Sequence, residues 1–399
     1  VNQLYKKVGK FTLLKIYFPY FWKVPLKFSI YAYKKFKYQN PQWFNNQIWI
    51  TTLFPPYPSE AFNRFMDVTI KDERLPQAAN FAVTSNCPFS CSFCGYGRRV
   101  KKDLKTKQII DIINQLKDLK CSNLGITGGE PLLRDDLEEI ITAAKPEIFT
   151  ILFTSGYKLS FERVKSLKKA GLDCITFGLE YSDPKKQDEI RGHKESFKYI
   201  ENAVKNCRKA GIFISIATIG TKEKIKNGEL NRILQLAKKW NVGEIRLISP
   251  IATGRWTGCL DQMLGPEEYE QLRQFHINQN NTHTTPIITW ITYYESPDLF
   301  GCLTGYRYVF IEASGDVCPC DQTPLSFGNV TKEPLKDIWK RMEKSFPRPR
   351  LYCLMNDISP KIDAEILPIP PEKSVNIVPK IEETTPLPEI SKRLIKKRK

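Results

Sequence analysis

The sequence predicts an α/β chain built on a parallel sheet, and two observations carry that reading. Short apolar runs alternate with amphipathic stretches of helical length between residues 80 and 249, and glycines stand where two of the helical stretches should stop. The runs are NFAVTS (80–85), NLGITG (123–128), IFTILFTS (148–155), CITFGLE (174–180), IFISIATIG (212–220) and EIRLIS (244–249). Between them lie TKQIIDIINQLKDLK (106–120), RDDLEEIITAAKP (134–146), SFERVKSLKKAG (160–171), SFKYIENAVKNCRKAG (196–211) and ELNRILQLAKKW (229–240). Gly171 and Gly211 follow their stretches at the position of a C-terminal stop. Six strands joined by five helices require right-handed crossovers, which leaves an open doubly wound sheet or part of a barrel.

Composition bounds the rest. A chain of 399 residues, 41% hydrophobic and 12% aromatic, has ample material for one large domain with additions. Its formal charge of +18 is uneven: residues 1–59 hold no Asp or Glu, while lysines alternate there with aromatic residues such as Tyr17, Tyr20, Trp22, Phe28 and Tyr33. Such a balance favours anionic partners, a lipid surface or a phosphorylated substrate, without a specific nucleic-acid partner. Two readings of residues 1–59 stand side by side. One is an extension packed on the main domain with its lysines solvated; the other is a peripheral contact with a membrane surface. Pro19 and Pro25 break any single long helix, and the run Ile16–Trp22 is far below the ~20 apolar residues of a bilayer span. No cleavable signal segment is convincing. Residues 356–399, rich in Pro, Lys and Glu and without periodicity, read as a disordered tail.

Eleven cysteines are present, and the tightest group is SNCPFSCSFCGYGRR (85–99), where Cys87, Cys91 and Cys94 are spaced C-x3-C-x2-C. Grouped free thiols need a reducing compartment, so a cytoplasmic location is expected. GGEPL (128–132) follows the second run, TSG (154–156) follows the third, and Glu180 ends the fourth. All therefore gather at the carboxyl ends of parallel strands, where such folds place their sites. A structural zinc site would want a fourth nearby ligand, and His193, His276 and His283 all lie outside the loop. An iron–sulfur cube held by three thiolates keeps one iron open.

With Phe93 before the last cysteine and GGEP after the second strand, this stretch resembles the radical S-adenosylmethionine (SAM) superfamily over about residues 80–260. The resemblance implies a partial (β/α)6 barrel of the TIM type and a [4Fe-4S] cluster whose open iron is chelated by SAM. It implies that Cys87, Cys91 and Cys94 ligate the cluster, and that Gly128, Gly129 and Glu130 meet the methionine amino group. Ser155 and Glu180 fall where the family contacts ribose or the methionine end, Arg191 where a partner of the SAM carboxylate is found, and Ile248 where adenine is met. An external one-electron reductant such as flavodoxin or ferredoxin is implied as well.

A second group, Cys302, Cys318, Cys320 and Cys353, contains C-x12-G-x4-C (Cys302, Gly315, Cys320), then Gly328–Asn329 and Ile338–Trp339. It resembles the opening of a SPASM/twitch extension and implies one auxiliary [4Fe-4S] cluster, with the part of Cys318 open. The expected organisation is thus a basic aromatic extension (1–79), a radical SAM core (80–260), a linker and auxiliary-cluster region (261–355) and the tail (356–399). Three functions follow: an oxidative enzyme on a small or lipid-linked metabolite, a ribosomal peptide maturase, or a membrane-associated iron–sulfur protein without turnover. Peptide maturases of this kind carry a small domain of helices and strands ahead of the barrel, a pattern not expected in residues 1–79. No general base stands out; Tyr306, Arg255 and Asp321 lie in the right regions without a sharper signal.

Overall fold

The structure, a computed structural model, describes residues 4–99, 102–362, 367–382 and 384–395. The chain opens with β1 (Lys6–Lys7), α1 (Lys10–Phe21), α2 (Leu26–Phe36), β2 (Gln42–Phe44), β3 (Gln47–Trp49) and α3 (Glu60–Lys71). Strands β1, β2 and β3 form an antiparallel sheet, and Asn45 and Asn46, both at positive φ, make the β2–β3 turn. Residues 1–79 therefore do contain strands and helices, contrary to expectation. The strands span only two or three residues each, too short to show an alternating pattern in the sequence.

The six expected strands are all present. They are β4 (Ala78–Thr84), β5 (Asn123–Gly128), β6 (Phe149–Thr154), β7 (Cys174–Gly178), β8 (Phe213–Ile219) and β9 (Glu244–Ile248), each parallel to its neighbour. Between them run α4 (Thr106–Asp118), α5 (Leu137–Ala144), α6 (Phe161–Lys169), α7 (Pro184–Arg191), α8 (Ser196–Ala210), α9 (Lys222–Lys226) and α10 (Glu229–Lys239). The helices lie where the periodicity put them because their apolar residues recur on one face. In α4 that face is Ile109, Ile112, Ile113 and Leu116, and in α10 it is Leu230, Ile233, Leu234 and Ala237, all buried. The two short helices α7 and α9 were not expected; neither offers a stripe long enough to read.

Beyond β9 come α11 (Pro266–Asn281), β10 (Ile287–Trp290), α12 (Ile291–Tyr294), β11 (Tyr308–Ile311), β12 (Val317–Cys318) and α13 (Leu335–Met342). The sheet order is β10-β9-β8-β7-β6-β5-β4-β11-β12. Strand β11 pairs parallel with β4, Tyr308 opposite Ala78, so the second cysteine region is joined directly to the first barrel strand. The fold is the expected partial barrel, lengthened at both edges.

The amino ends of the strands are closed by the N-terminal segment. Trp49 stacks on Phe213 with ring centroids 3.9 Å apart, and Tyr5 and Phe44 pack on the same ring. Glu244, fully buried at the start of β9, accepts from Thr51 Oγ1 (3.0 Å), Thr52 N (2.9 Å), Ser215 Oγ (2.9 Å) and Thr289 Oγ1 (2.6 Å). A buried carboxylate is tolerable only when its lone pairs are filled in this way. Residues 39–54 thus close this end of the sheet, with α1 packed on them through the buried Ile16.

The tail also departs from expectation. It carries α14 (Met355–Ile358), α15 (Pro371–Ile377) and α16 (Glu389–Ile395), and Leu367, Ile369, Ile390 and Leu394 are buried. Leu367 and Ile369 dock beside prolines and α16 spans only seven residues, too short for a period to show. Residues 363–366, 383 and 396–399 of the expected tail lie outside the described residues.

Candidate active site

The loop that follows β4 is held from four sides. At its start Asp103 accepts hydrogen bonds from Thr84 Oγ1 (2.6 Å), Ser85 N (2.7 Å), Ser85 Oγ (2.7 Å) and Asn86 Nδ2 (3.1 Å). Next to it the glycine pair after β5 ties in: Gly129 N donates to Thr84 O (2.8 Å) and Glu130 N to Asn86 O (2.7 Å). Farther along, Ser90 N and Ser92 N donate to the carbonyls of Arg191 and Ile190 at the end of α7. Finally Arg255 Nη1 donates to Ser90 O (2.7 Å) and Cys91 O (2.9 Å), and Arg255 N donates to Cys94 O (3.0 Å). Arg255 is therefore a clamp on the cysteine loop.

These braces also explain the glycines. A Cβ on Gly128, at φ +133°, would stand 2.2 Å from Thr84 O, and one on Gly129 would stand 2.1 Å from Asn86 O. The pair is glycine because the cysteine loop crosses directly over it. Gly178, which the sequence reading passed over, makes room for the Arg191 guanidinium, since a Cβ there would sit 2.1 Å from Arg191 Nη2.

Cys87, Cys91, Cys94 and Phe93 border one cavity of about 370 Å³, together with Gly128, Gly129, Glu130, Ser155, Glu180, Arg191 and Ile248. Every residue predicted for the first site is thus brought to one place. A further cavity of about 430 Å³, beside Lys23, Ile70 and Leu394, contains none of them. Tyr306 is buried and does not line the first cavity, whereas Asp321 does.

The cavity is electrically polarised. On one side Glu130 is fully buried and accepts from Leu132 N (3.1 Å), Thr154 Oγ1 (2.6 Å), Ser155 N (2.8 Å) and Ser155 Oγ (2.5 Å). Burial pushes its carboxyl up, and those four hydrogen bonds pull the other way. Its lone pairs are filled by the protein, so what it offers a ligand is negative charge rather than a free acceptor. Ser155 is likewise spent on Glu130.

On the other side Glu180 sits between two cations, Lys224 Nζ at 2.5 Å and Arg191 Nη2 at 3.4 Å. Burial alone would raise the Glu180 carboxyl, but Lys224 and Arg191 outweigh it and hold it below the ordinary range. Desolvation lowers Lys224, with Glu180 opposing. Lys224 is 2% exposed and no sequence signal marked it. One carboxylate against two cations leaves this wall positive, and Arg191 Nη1 also reaches Cys91 Sγ at 3.8 Å. A buried carboxylate and a positively charged cluster bordering one cavity suit an α-amino acid zwitterion.

Burial acts on two of the thiols. Cys87 is accessible from the cavity yet surrounded by protein on its other sides; desolvation, then the charges of Glu130 and the neighbouring thiols, pushes it up to about 12. Desolvation raises Cys91 too, against Arg191. Among the described residues no three His, Cys, Asp or Glu side chains converge on a single ion. A cube sets each thiolate on its own iron, so three thiols spread along a cavity rim fit it without meeting at a point.

In the second group the structure separates the four cysteines. Cys302, Cys320 and Cys353 act electrostatically on one another, each thiol raised first by burial. Cys318 stands apart: its Sγ donates to Glu312 Oε1 at 3.8 Å, and it packs with Ala82, Phe310 and Ala313. Cys318, whose part in the auxiliary site the sequence leaves open, thus lies away from the other three thiols. The hairpin β11–β12 buries it under the first barrel strand. Glu312 is also paired with Arg99, which caps the first cysteine loop and donates to Asp321 O as well. Both side chains of that pair are 2% exposed or less. One buried ion pair thus links the two cysteine groups, a connection invisible in the sequence across more than two hundred residues. Glu295, also missed, is enclosed by protein although water reaches it, and burial followed by Asp321 pushes its carboxyl up to about 7.

The radical SAM superfamily profile matches residues 81–236, and an iron–sulfur cluster-binding domain of the SPASM type matches residues 302–353. The chain belongs to the radical SAM superfamily. It carries a SPASM extension, and its cofactors are a SAM-binding [4Fe-4S] cluster, SAM and auxiliary iron–sulfur chemistry. Among characterised relatives, the AdoMet-dependent heme synthase of Nitratidesulfovibrio vulgaris (strain Hildenborough) is 24% identical over 287 residues, 65% of this chain and 78% of that one. Among solved structures, SuiB of Streptococcus suis bound to its precursor peptide SuiA superposes with a TM-score of 0.58 at 16% identity, over 75% of this chain and 78% of that one. Native anSMEcpe with bound AdoMet gives 0.53 at 16% identity, over 66% and 80%. These likenesses establish a shared fold. No helix among the described residues is long and apolar enough to cross a membrane.

Proposed function

We propose that this radical SAM chain is an oxidative enzyme acting on a small or lipid-linked metabolite. Cys87, Cys91 and Cys94 would hold the first cluster, with Phe93 shielding it. When bound, the reduced cluster supplies one electron to the sulfonium of SAM, releasing methionine and a 5′-deoxyadenosyl radical that takes a hydrogen atom from substrate. The residues of the chain bind and orient. Glu130 contributes negative charge toward the methionine ammonium through the edge it shares with Gly128 and Gly129, and Ser155 holds Glu130 in place. Arg191 meets the carboxylate and is fixed by Glu180, which Lys224 holds from its other side. Ile248 offers an apolar wall to the adenine.

The observation that carries this reading is the single cavity lined by the three thiols, by Glu130 and by the Glu180–Arg191 pair. Net oxidation needs an acceptor for the second electron. Asp321 lines that cavity and adjoins Cys320, which supports an auxiliary cluster on Cys302, Cys320 and Cys353 in that role. An external one-electron donor, a flavodoxin or ferredoxin, would reduce the first cluster.

Anaerobic reconstitution tests the proposal. About eight irons per chain are expected for two cubes, and SAM with reductant should yield 5′-deoxyadenosine. No cleavage would leave a non-catalytic iron–sulfur protein, and about four irons would remove the oxidative argument. A second reading, peptide maturation, is favoured by the small sheet and helices ahead of the barrel and by the SuiB likeness. The heme synthase relative favours a small molecule. Crosslinking of a precursor peptide encoded beside the gene would decide for the peptide.

A further inference from the structure

Exposed apolar side chains are concentrated at one corner of the molecule. Six of the ten large hydrophobic side chains exposed among the described residues are Phe18, Phe21, Trp22, Leu26, Ile30 and Tyr33, all in α1, α2 and the turn between them. Helix α2 has two apolar faces. Phe28, Tyr31 and Phe36 turn inward onto Tyr294, Leu299, Ile390 and Leu394, and the Tyr31 hydroxyl donates to Asp298 O at 2.6 Å. That face already anchors the helix. Leu26, Ile30 and Tyr33, spaced i, i+4 and i+7, point the other way and are 60%, 49% and 74% exposed; Trp22 in the turn is 74% exposed.

Lysines are set into this outer face. Lys27, Lys34 and Lys37 are exposed on it, and no acidic residue occurs before Glu60. Helix α16 packs on the same α2, with the Arg393 guanidinium 4.1 Å from the Tyr31 ring centre. The sequence continues past it as Lys396, Lys397, Arg398 and Lys399, outside the described residues. Ammonium groups interleaved with an apolar stripe suit a bilayer, where the stems lie in the apolar zone and the charges reach up to phosphates. They do not suit the centre of a protein interface, from which charged residues are depleted.

We propose that the outer face of the α1–α2 hairpin docks on the headgroup layer of an anionic bilayer. Trp22, Leu26, Ile30 and Tyr33 enter the headgroup–acyl boundary, and Lys27, Lys34 and Lys37 meet lipid phosphates. This contact is independent of the chemistry in the cavity. The test is flotation of the reconstituted full chain with phosphatidylcholine vesicles, with and without phosphatidylglycerol. The unaltered chain should float with the anionic vesicles. Ile30→Glu with Tyr33→Glu should lose about 100-fold in partition, since two apolar anchors become anions. Lys27→Glu with Lys34→Glu should lose at least about 25-fold, each basic residue near an anionic surface being worth about fivefold. SAM cleavage in detergent-free buffer should be unchanged in both variants, which shows that they are folded. Equal partition of all three proteins, or failure of the unaltered chain to float, overturns the proposal. So does loss of a dimer in Ile30→Glu with Tyr33→Glu without any change in partition, because the face would then cover a second copy.

Discussion

The two cysteine groups are brought together by opposite routes. Cys87, Cys91 and Cys94 come from eight consecutive positions of one braced loop, whereas Cys302, Cys320 and Cys353 come from three segments spread over 52 positions. The first group is positioned by hydrogen bonds close to it in sequence and space: Asp103, Gly129 and Arg255 hold its backbone. The second depends on β11 pairing with β4 and on Cys302 pairing with Arg350. The lesson concerns where metal binding energy goes. Closing a 52-residue span costs about 1.5 kcal/mol more chain entropy than closing eight, by the logarithmic scaling of loop closure. A cluster on the second group should therefore stabilise the fold more, and a cluster on the first should matter mainly for chemistry.

The largest expected effect divides the groups by function. Cys91→Ala should abolish 5′-deoxyadenosine formation, a loss of about 10³-fold or more, because no other group supplies that electron transfer. Cys353→Ala should retain slow SAM cleavage while losing about four irons, and its apparent melting temperature should fall further than that of Cys91→Ala. Iron analysis, chromatography of 5′-deoxyadenosine and calorimetry check all three outcomes. If Cys91→Ala proved the less stable variant, the contrast between braced loop and metal-closed segments would fail.

The pin between the groups comes next. Arg99→Met leaves Glu312 buried without its cation, and breaking a buried pair in this way costs about 3–5 kcal/mol. Arg99→Met combined with Glu312→Leu should recover much of that loss, because no charge is then stranded. Urea unfolding of the four proteins in a double-mutant cycle measures it. A near-zero coupling energy would mean that the groups fold independently.

A smaller effect falls on the first loop alone. Asp103→Ala removes four hydrogen bonds to a carboxylate and should cost about 1–3 kcal/mol. Burial would raise this carboxyl, but the donors Thr84 and Ser85 and the charge of Arg134 outweigh it and hold it below the usual value. An acid whose folded pKa is depressed stabilises the fold above its unfolded value of about 3.9 and loses that contribution as pH falls through the folded value. The stability difference between the natural chain and Asp103→Asn should therefore be constant above about pH 5 and shrink below about pH 4. Denaturation series of the apo-proteins across that range check the sign. A difference that grew toward acid would remove Asp103 as the brace.

What the sequence made legible follows the same division. The six barrel strands and the helices α4, α5, α6, α8 and α10 were readable because each buries a periodic face over enough residues. The first thiols and the GGE edge were readable because a short spacing sets them just after strands, whereas Glu180 and Arg191 were named from the family resemblance, and Arg191 ends α7. Lys224, Gly178, Asp103 and the Arg99–Glu312 pair were not, since each gains its meaning from a partner distant in sequence. The small sheet β1–β3 and the docked segments around Leu367 and Ile390 escaped notice because contacts made by single residues leave no period. Two charge assignments needed the structure as well. The sequence does not show that Glu130 already accepts from four protein donors, nor that within residues 1–59 the stretch 39–54 closes the barrel.

The smallest effect is expected at Cys318, and it tests the partition of the second group most closely. Spacing assigns Cys320 to the C-x12-G-x4-C pattern and leaves open the part of Cys318, two residues before it. In a regular strand they would share a face, but β12 ends at Cys318 and the chain turns before Cys320. Cys318 is 0% exposed, against Ala82 and Phe310, and its nearest polar contact is Glu312. Cys318→Ala therefore removes one buried sulfur and one weak hydrogen bond, a cost of about 1 kcal/mol. Iron content and the electron paramagnetic resonance of the reduced auxiliary site should match the natural chain, while Cys320→Ala should lose that signal. An altered spectrum in Cys318→Ala would place this thiol on the cluster and would require β12 to unpair from β11 when metal binds.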